Sequence, residues 1–233
     1  METQLKKLLK ISLFILFFIQ PAYASEVHSQ AGNFTGNATP TKYIITVSRI
    51  EFHKQGDPDT VFVTYVSTSS DWDIASVSAG GSIGTMQATN TLPSGTYDKI
   101  RFTVLKTMTV QGSIASLQDT LPCRTENDAN TVSNPFGNNS VSTAYLGARD
   151  GGASEPETVT VPTGSNVQAS SDFTDLGTAF RVSMPITFTV SNNKAIDFKI
   201  KFDVTNSLQF VLRPGTTQCI VFPGPPSVAV DID

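Results

Sequence analysis

The chain has 233 residues, a net charge of −4, 15% charged residues and two cysteines. This mildly acidic balance argues against nucleic acid as a partner, because phosphates require a basic protein surface, and against docking on anionic lipid. Valine, isoleucine, threonine and phenylalanine are frequent, and no amphipathic helical stripe of useful length follows the N-terminal segment. The composition therefore favours an all-β protein.

The first 24 residues have the pattern of a secretory signal peptide. Three lysines precede an uncharged apolar run at 11–19, and the sequence AYA at 22–24 resembles a cleavage site. The run is shorter than the roughly 20 apolar residues of a transmembrane helix, so we expect no transmembrane segment after cleavage. The alternative is an uncleaved anchor helix. Cleavage before Ser25 removes three Lys and one Glu and changes the net charge from −4 to −6. We predict an exported protein, located in the periplasm, at the cell surface or outside the cell.

The organisation after the signal peptide follows from composition and turn signals. Residues 25–41 are polar and contain Gly, Asn and Pro, which predicts a flexible N-terminal arm. About ten short strands separated by turn signals predict one antiparallel β-sandwich domain over 42–233. The hydrophobic pattern weakens at 121–164, where we expect a loop-rich excursion. The strand signals lie at 43–54, 61–66, 97–110, 141–146, 158–161, 180–182, 186–190, 195–204, 208–212, 219–222 and 228–233.

Two of these strand patterns make specific predictions. In the first strand the apolar positions change phase between Val47 and Ile50, which predicts a β-bulge near Ser48 and Arg49. The stretch at 195–204, AIDFKIKFDV, alternates apolar and mostly charged residues, which is typical of a strand with one solvent-exposed face. We expect the strand at 208–212 to return antiparallel beside it.

Cys123 and Cys219 are the two cysteines. An even, small number of cysteines in an exported chain favours a disulfide. Such a bridge would close a long loop, which in the chain-entropy treatment stabilises the fold by roughly 4–5 kcal/mol. Two separate buried thiols are the alternative. The chain has no C-x-x-C motif, so a redox or c-type haem function has no support.

Three stretches of the chain are similar to an uncharacterised family of bacterial secreted domains. They are LPSGTYDKIRFTV at 92–104, IDFKIKFDVTNSLQFVLRP at 196–214 and the opening strand at 44–54. The resemblance covers about 43–214, with the excursion at 121–164 inserted, and implies a prealbumin-like β-sandwich and export. Members are often lipoproteins, but this chain lacks the lipobox cysteine, so surface anchoring does not carry over. The family has no known activity, and the resemblance implies no catalytic residues.

Two short motifs resemble those of enzymes. Residues 80–84 match G-x-S-x-G and residues 191–194 match S-x-x-K, but both motifs act at the start of a helix, and none is expected here. Both histidines, His28 and His53, precede these motifs, and we expect both to be solvated. We interpret the motifs as a glycine loop and a hairpin turn. We therefore predict no catalytic or cofactor-binding residues, no transition-metal site and no enzymatic activity.

Pairs of aspartates on expected loops raise the possibility of bound calcium, which prefers oxygen ligands. No complete calcium loop is present, so we favour ordinary turn chemistry for these pairs. The pairs are Asp57 with Asp59, Asp71 with Asp73, and Asp172 with Asp175.

The single tryptophan, Trp72, lies between Asp71 and Asp73. An aromatic ring beside carboxylates is typical of sugar-binding sites, which makes these three residues a candidate ligand platform. The alternative is that Trp72 fills the core, and we favour that alternative.

The C-terminal residues form the candidate self-association strand. Val228, Val230 and Ile232 alternate with small and acidic residues after the break FPGPP at 222–226. Such a strand can pair within its own sheet, which we favour, or it can insert into a neighbouring molecule by strand addition.

These features predict an exported, non-enzymatic surface or extracellular protein with a structural or adhesive role. Assembly into fibres through the terminal strand is one form of that role, and the partner would then be a second copy. The alternative is a monomeric module that binds a glycan or another extracellular ligand through the Trp72 platform, the acidic loops or the excursion.

Overall fold

The computed structural model describes residues 35–77, 81, 88, 90–115, 122–128, 130–133, 143–161, 173–191, 198–212, 216, 218–224 and 226–232. The expected signal peptide lies outside these ranges. All regular elements of the described part are β-strands, and all their pairings are antiparallel, which confirms the predicted fold class. No helix among the described residues is long and apolar enough to cross a membrane.

Seventeen strands are described, against about ten predicted. They are β1 (Thr35–Ala38), β2 (Lys42–Lys54), β3 (Val63–Val66), β4 (Ser70–Asp73), β5 (Gly95–Leu105), β6 (Thr107–Gln111), β7 (Ser113–Ile114), β8 (Cys123–Arg124), β9 (Thr131–Ser133), β10 (Thr143–Gly147), β11 (Glu157–Thr160), β12 (Phe173–Asp175), β13 (Ala179–Val190), β14 (Phe198–Asp203), β15 (Leu208–Leu212), β16 (Cys219–Pro223) and β17 (Ser227–Ile232).

The strands form two large sheets and two small ones. The eight-stranded sheet has the order β11-β6-β2-β5-β13-β12, with β3 and β4 also paired to β2. The five-stranded sheet has the order β1-β15-β16-β10-β9, while β14 and β17 form a two-stranded ribbon and β7 pairs with β8. Apolar side chains from both large sheets and from the ribbon share one buried cluster. The arrangement is therefore sandwich-like, with the ribbon and the five-stranded sheet packed on the inner face of the eight-stranded sheet.

The bulge predicted in the first strand is confirmed. The register of β2 against β5 shifts between Val47 and Arg49, so Ser48 has no direct partner on β5. The shift lets Ile45 and Val47 before it and Ile50 and Phe52 after it all lie in the core. The outer face of β2 then carries its polar residues.

The pattern at 97–110 predicted one strand, but the structure has two, β5 and β6. Lys106 interrupts them, and its ammonium group is buried against the carboxylate of Asp175, with an Nζ–Oδ1 distance of 2.6 Å. Its backbone amide donates to the carbonyl of Thr178, and its carbonyl accepts from the amide of Val161. This local network turns the chain from β5 into β6.

The expected pairing of 208–212 with 195–204 is wrong. β15 lies between β1 and β16, and β14 pairs with β17 instead. Asn206 adopts a left-handed backbone conformation, with φ of 57°, which Asn tolerates better than most residues. The turn at this residue carries the chain from the ribbon into the five-stranded sheet.

Two regions contain more strands than predicted. The arm expected over 25–41 ends in β1, which pairs with β15 from Thr35 to Ala38. The region expected as an excursion, 121–164, contains β8 to β11, and β9 and β10 extend the five-stranded sheet. Strands were predicted there only at 141–146 and 158–161, so the described part of this region contributes more strands than expected.

The predicted disulfide is present. It joins Cys123 of β8 to Cys219 of β16, with a Cα–Cα distance of 6.2 Å, and both residues are fully buried. Gly147 lies beside it, where a Cβ atom would collide with the carbonyl of Arg124. The close approach of β10 to β8 at the bridge therefore requires glycine at this position.

Replacing both cysteines, C123A/C219A, should lower the free energy of unfolding by about 2–5 kcal/mol, because the bridge constrains a segment of 96 residues in the unfolded chain. Urea unfolding of the variant and the parent, each with and without reductant, measures the difference. Equal midpoints in the absence of reductant would contradict this expectation.

Candidate functional site

The ribbon formed by β14 and β17 is the part of the described structure that best fits a functional surface. Six residue pairs join the two strands, from Phe198 opposite Ile232 to Asp203 opposite Ser227. Val228, Val230 and Ile232 are half-buried and alternate with exposed residues. The candidate self-association strand is thus paired with β14 of its own chain. No described strand pairs with the far edge of β17.

The underside of the ribbon rests on aromatic rings of the eight-stranded sheet. The Phe198 ring lies 5.6 Å from that of Phe52 and 5.4 Å from that of Tyr65 between ring centroids. The Phe202 ring lies 6.0 Å from that of Trp72 in an edge-to-face arrangement. Burial of these rings and the edge-to-face geometry both favour the docked ribbon.

The same contacts decide between the two interpretations of Trp72. The residue is only 7% exposed and lies opposite Ile45 on the inner face of the sheet. The carboxylate of Asp71 accepts a hydrogen bond of 2.6 Å from the Thr46 hydroxyl, and that of Asp73 accepts one of 3.1 Å from the Tyr43 amide. Trp72 therefore belongs to the core, and Asp71, Trp72 and Asp73 do not form an exposed ligand platform.

The linker that leads into β17 is fixed to the body of the domain. The Tyr43 hydroxyl donates a hydrogen bond of 2.8 Å to the carbonyl of Gly224, whose amide donates one of 2.6 Å to the carbonyl of Ser207. Complete burial raises the pKa of Tyr43 well above its usual range, so its hydroxyl keeps its proton and remains a donor. β17 therefore starts from a defined point beside the ribbon.

His53 is buried, which corrects the expectation that it is solvated. Its Nδ1 atom lies 2.6 Å from Oδ1 of Asp98, and its Nε2 atom lies 3.2 Å from the carbonyl oxygens of Asp57 and Pro58. Acceptors on both sides favour the imidazolium, and the hydrogen bond to Asp98 is the main cause of a raised pKa. His53 therefore holds the loop after β2 against the sheet.

Replacing His53 by glutamine, H53Q, should lower the free energy of unfolding by about 1–3 kcal/mol at pH 5.5, because charge-assisted hydrogen bonds to the loop are lost. Since the folded pKa is raised, the contribution of His53 is complete below about pH 6.5 and is lost as pH rises through the folded pKa. Thermal unfolding from pH 5.5 to 9 should show that the difference in melting temperature between parent and variant becomes smaller as pH rises. A difference that stays constant with pH would argue against this role.

Glu157 is a second buried ionisable group that the sequence pattern did not reveal. It lies on β11 opposite Val110 and is fully buried, and neither carboxylate oxygen has a hydrogen-bond partner of good geometry. Burial raises its pKa to about 8, with a further contribution from the negative charge of Asp128, and the Glu126 amide offsets this only in part. Glu157 is therefore protonated in the folded protein at neutral pH.

Replacing Glu157 by glutamine, E157Q, should stabilise the protein at pH 9 and change its stability little at pH 5. The folded pKa lies above the ordinary glutamate value of 4.5, so the parent loses stability as pH rises from about 4.5 to 8. The variant lacks this titration. Melting temperatures at pH 5 and pH 9 give the comparison, and a variant that is equally destabilised at both values would refute the assignment.

Four of the five described aspartates considered as calcium ligands bind groups of the protein through their carboxylates. Asp59 pairs with Lys99 at 2.9 Å and Asp175 with Lys106, and these partners lower the pKa of both carboxyls. Asp172 lies outside the described residues. Within the described ranges, no three His, Cys, Asp or Glu side chains converge as metal ligands would.

Most residues of the two enzyme-like motifs lie outside the described residues. Only Gly81 of the stretch 80–84 and only Ser191 of the stretch 191–194 are among the described residues.

Comparison with known families matches residues 37–223 to a domain of unknown function, DUF4382. The match spans most of the chain and includes the stretches at 92–104 and 196–214 that suggested a family resemblance. No curated protein and no solved structure matches the chain. The chain therefore belongs to the DUF4382 domain family.

Proposed function

We propose that the protein is an exported, non-enzymatic structural or adhesive β-sandwich whose copies assemble by exchanging β17. The observation that carries this proposal is the ribbon, in which the C-terminal strand contributes half-buried apolar side chains and pairs with β14 alone among the described strands. A terminal strand held in this way can be replaced by the identical strand of a second copy.

The exchange preserves the contacts of the ribbon. When β17 leaves, β14 loses its strand partner, and the buried residues Ile200 and Phe202 lose their cross-strand neighbours on β17. The β17 strand of another copy can restore the same six residue pairs in the same register, because the sequences are identical. Exchange of an identical element between protomers is a low-cost route to assembly for this reason.

The linker before β17 favours a strand that pairs in a defined position over an unpaired, flexible C-terminus. Pro223 and Pro226 restrict the backbone on both sides of Gly224, and Tyr43 anchors the Gly224 carbonyl. A stiff linker leaving a fixed point directs β17 along a limited set of paths. One path leads to β14 of the same chain and another leads to a neighbouring copy.

Four observations support export and a non-enzymatic role. The N-terminal sequence has the signal-peptide pattern, and the Cys123–Cys219 disulfide is typical of oxidising compartments. The family resemblance also implies export and a prealbumin-like sandwich. Both ring nitrogens of His53 are bound to groups of the protein itself, so this histidine serves the fold.

Cysteines at Lys201 and Ala229, K201C/A229C, test the exchange, because these residues are directly opposite each other in the ribbon. ¹⁵N-labelled and unlabelled copies of residues 25–233 are mixed, unfolded, refolded together and then oxidised. We expect cross-linked peptides that combine both labels and, by light scattering, masses above that of the monomer. The single variants K201C and A229C are the controls for non-specific cross-linking.

Cross-links that join only peptides of the same label, together with a monomeric mass, would overturn the exchange. The protein would then be a monomer with a closed ribbon, as the alternative of a monomeric binding module requires.

A further inference from the structure

The outer face of the eight-stranded sheet carries a line of polar residues that the ribbon does not use. Arg49 lies opposite Thr103, Thr103 opposite Arg181, and Arg181 opposite Thr174, on the four adjacent strands β2, β5, β13 and β12. Directly opposed residues project from the same face of a sheet. We call these four residues the arginine row. It faces away from the core, since Phe102, the neighbour of Thr103, is a core residue.

The positive charge of this face is only partly balanced. Glu51 and Arg101 lie opposite each other on β2 and β5, two residues along from Arg49 and Thr103. The Glu51 carboxylate lies 3.0 Å from Nε of Arg101 and 3.9 Å from a terminal nitrogen of Arg49. Among the described carboxylates, only that of Glu51 forms an ion pair with Arg49, Arg101 or Arg181. Asp175, on the strand beside Arg181, is already paired with Lys106. The three arginines and Glu51 together therefore carry an excess of two positive charges, in a chain whose net charge is −4.

Two buried donors in the row also lack acceptors. The hydroxyl of Thr103 and the Nε atom of Arg181 are both inaccessible to solvent and have no hydrogen-bond partner in the described structure. Buried donors without partners are rare, and each one calls for a missing group that accepts the hydrogen bond. The Arg49 side chain is about half exposed, at 48%, so it can move to meet such a group.

We propose that the arginine row binds an oxyanion between Arg49 and Arg181, above Thr103. Guanidinium groups match carboxylate, sulfate and phosphate with paired hydrogen bonds, and the Thr103 hydroxyl supplies a third donor. The oxyanion is either the acidic group of a saccharide or a free inorganic anion. The hydroxyl groups of Thr174 and Ser183, which lie beside Arg181 on the same face, can bond to a hydroxylated ligand such as a sugar. This binding goes beyond the structural role proposed above and does not depend on it.

Calorimetric titration of residues 25–233 at constant ionic strength tests the site. The probes are sodium sulfate, sodium phosphate and an oligosaccharide of galacturonic acid. We expect saturable binding of at least one probe. The variant R181Q should weaken that binding about ten- to a hundredfold, as expected for the loss of a charge-assisted hydrogen bond.

Two further variants distinguish binding at a specific site from non-specific electrostatic attraction and from an effect of destabilising the fold. K42Q removes one positive charge from the same strand as Arg49, roughly 20 Å away along the strand, and should bind like the parent. T103V removes the unpartnered hydroxyl while keeping the shape of the side chain. It should weaken binding and leave the melting temperature unchanged or higher, whereas a purely structural role for Thr103 would lower it.

Each outcome decides the question. Tighter binding of the oligosaccharide identifies an acidic saccharide, and tighter binding of sulfate or phosphate identifies a free anion. The proposal is overturned by the absence of saturable binding for all three probes, or by equal losses in R181Q and K42Q. Light scattering on the same variants keeps this result separate from strand exchange, which none of these substitutions touches.

Discussion

The register of β2 against its neighbours is the constraint on which most of the described structure depends. This strand pairs with β3, β4, β5 and β6, and its inner face supplies Tyr43, Ile45, Val47, Ile50 and Phe52 to the core. Its outer face carries Arg49, Glu51 and His53. Because side chains alternate along a strand, a slip of one residue would exchange the two sets. The bulge at Ser48 keeps the apolar residues on both sides of it inward, from Ile45 to Phe52, and so fixes both the base of the ribbon and the arginine row.

Buried ionisable groups give the fold a preference for mildly acidic conditions. His53 and Glu157 both bind a proton more tightly when folded, so stability decreases as pH rises from about 4.5 to 8 for Glu157 and, for His53, as pH rises above about 6.5. Asp150 and Asp175 have lowered pKa values because of Arg124 and Lys106, so their contributions are lost only in strong acid. Among these four groups, stability therefore decreases both above about pH 4.5 and below about pH 3.8.

The sequence was sufficient where a structural feature depends on local patterns. The phase change between Val47 and Ile50 predicted the bulge, and the pair of cysteines in a chain with a signal-peptide pattern predicted the bridge. The predictions that were wrong concern features that depend on which strands pair with each other. His53 reaches Asp98 only because β2 pairs with β5 in one register, and β15 joins β16 although β14 precedes it in the chain. Short-range alternation contains no information about these partners. It also did not distinguish Glu157, a buried acid, from an exposed strand residue.

The two proposed surfaces lie on opposite sides of the eight-stranded sheet. The ribbon packs on the inner face through Phe52 and Phe198, whereas Arg49 and Arg181 project from the outer face. Exchange of β17 would therefore leave the arginine row open in each copy. An assembly of such copies would present the oxyanion site repeatedly, and an acidic polymer could then contact several sites at once. Linked sites of modest individual affinity can give strong overall binding, which would allow a weak site on one sheet face to serve in adhesion.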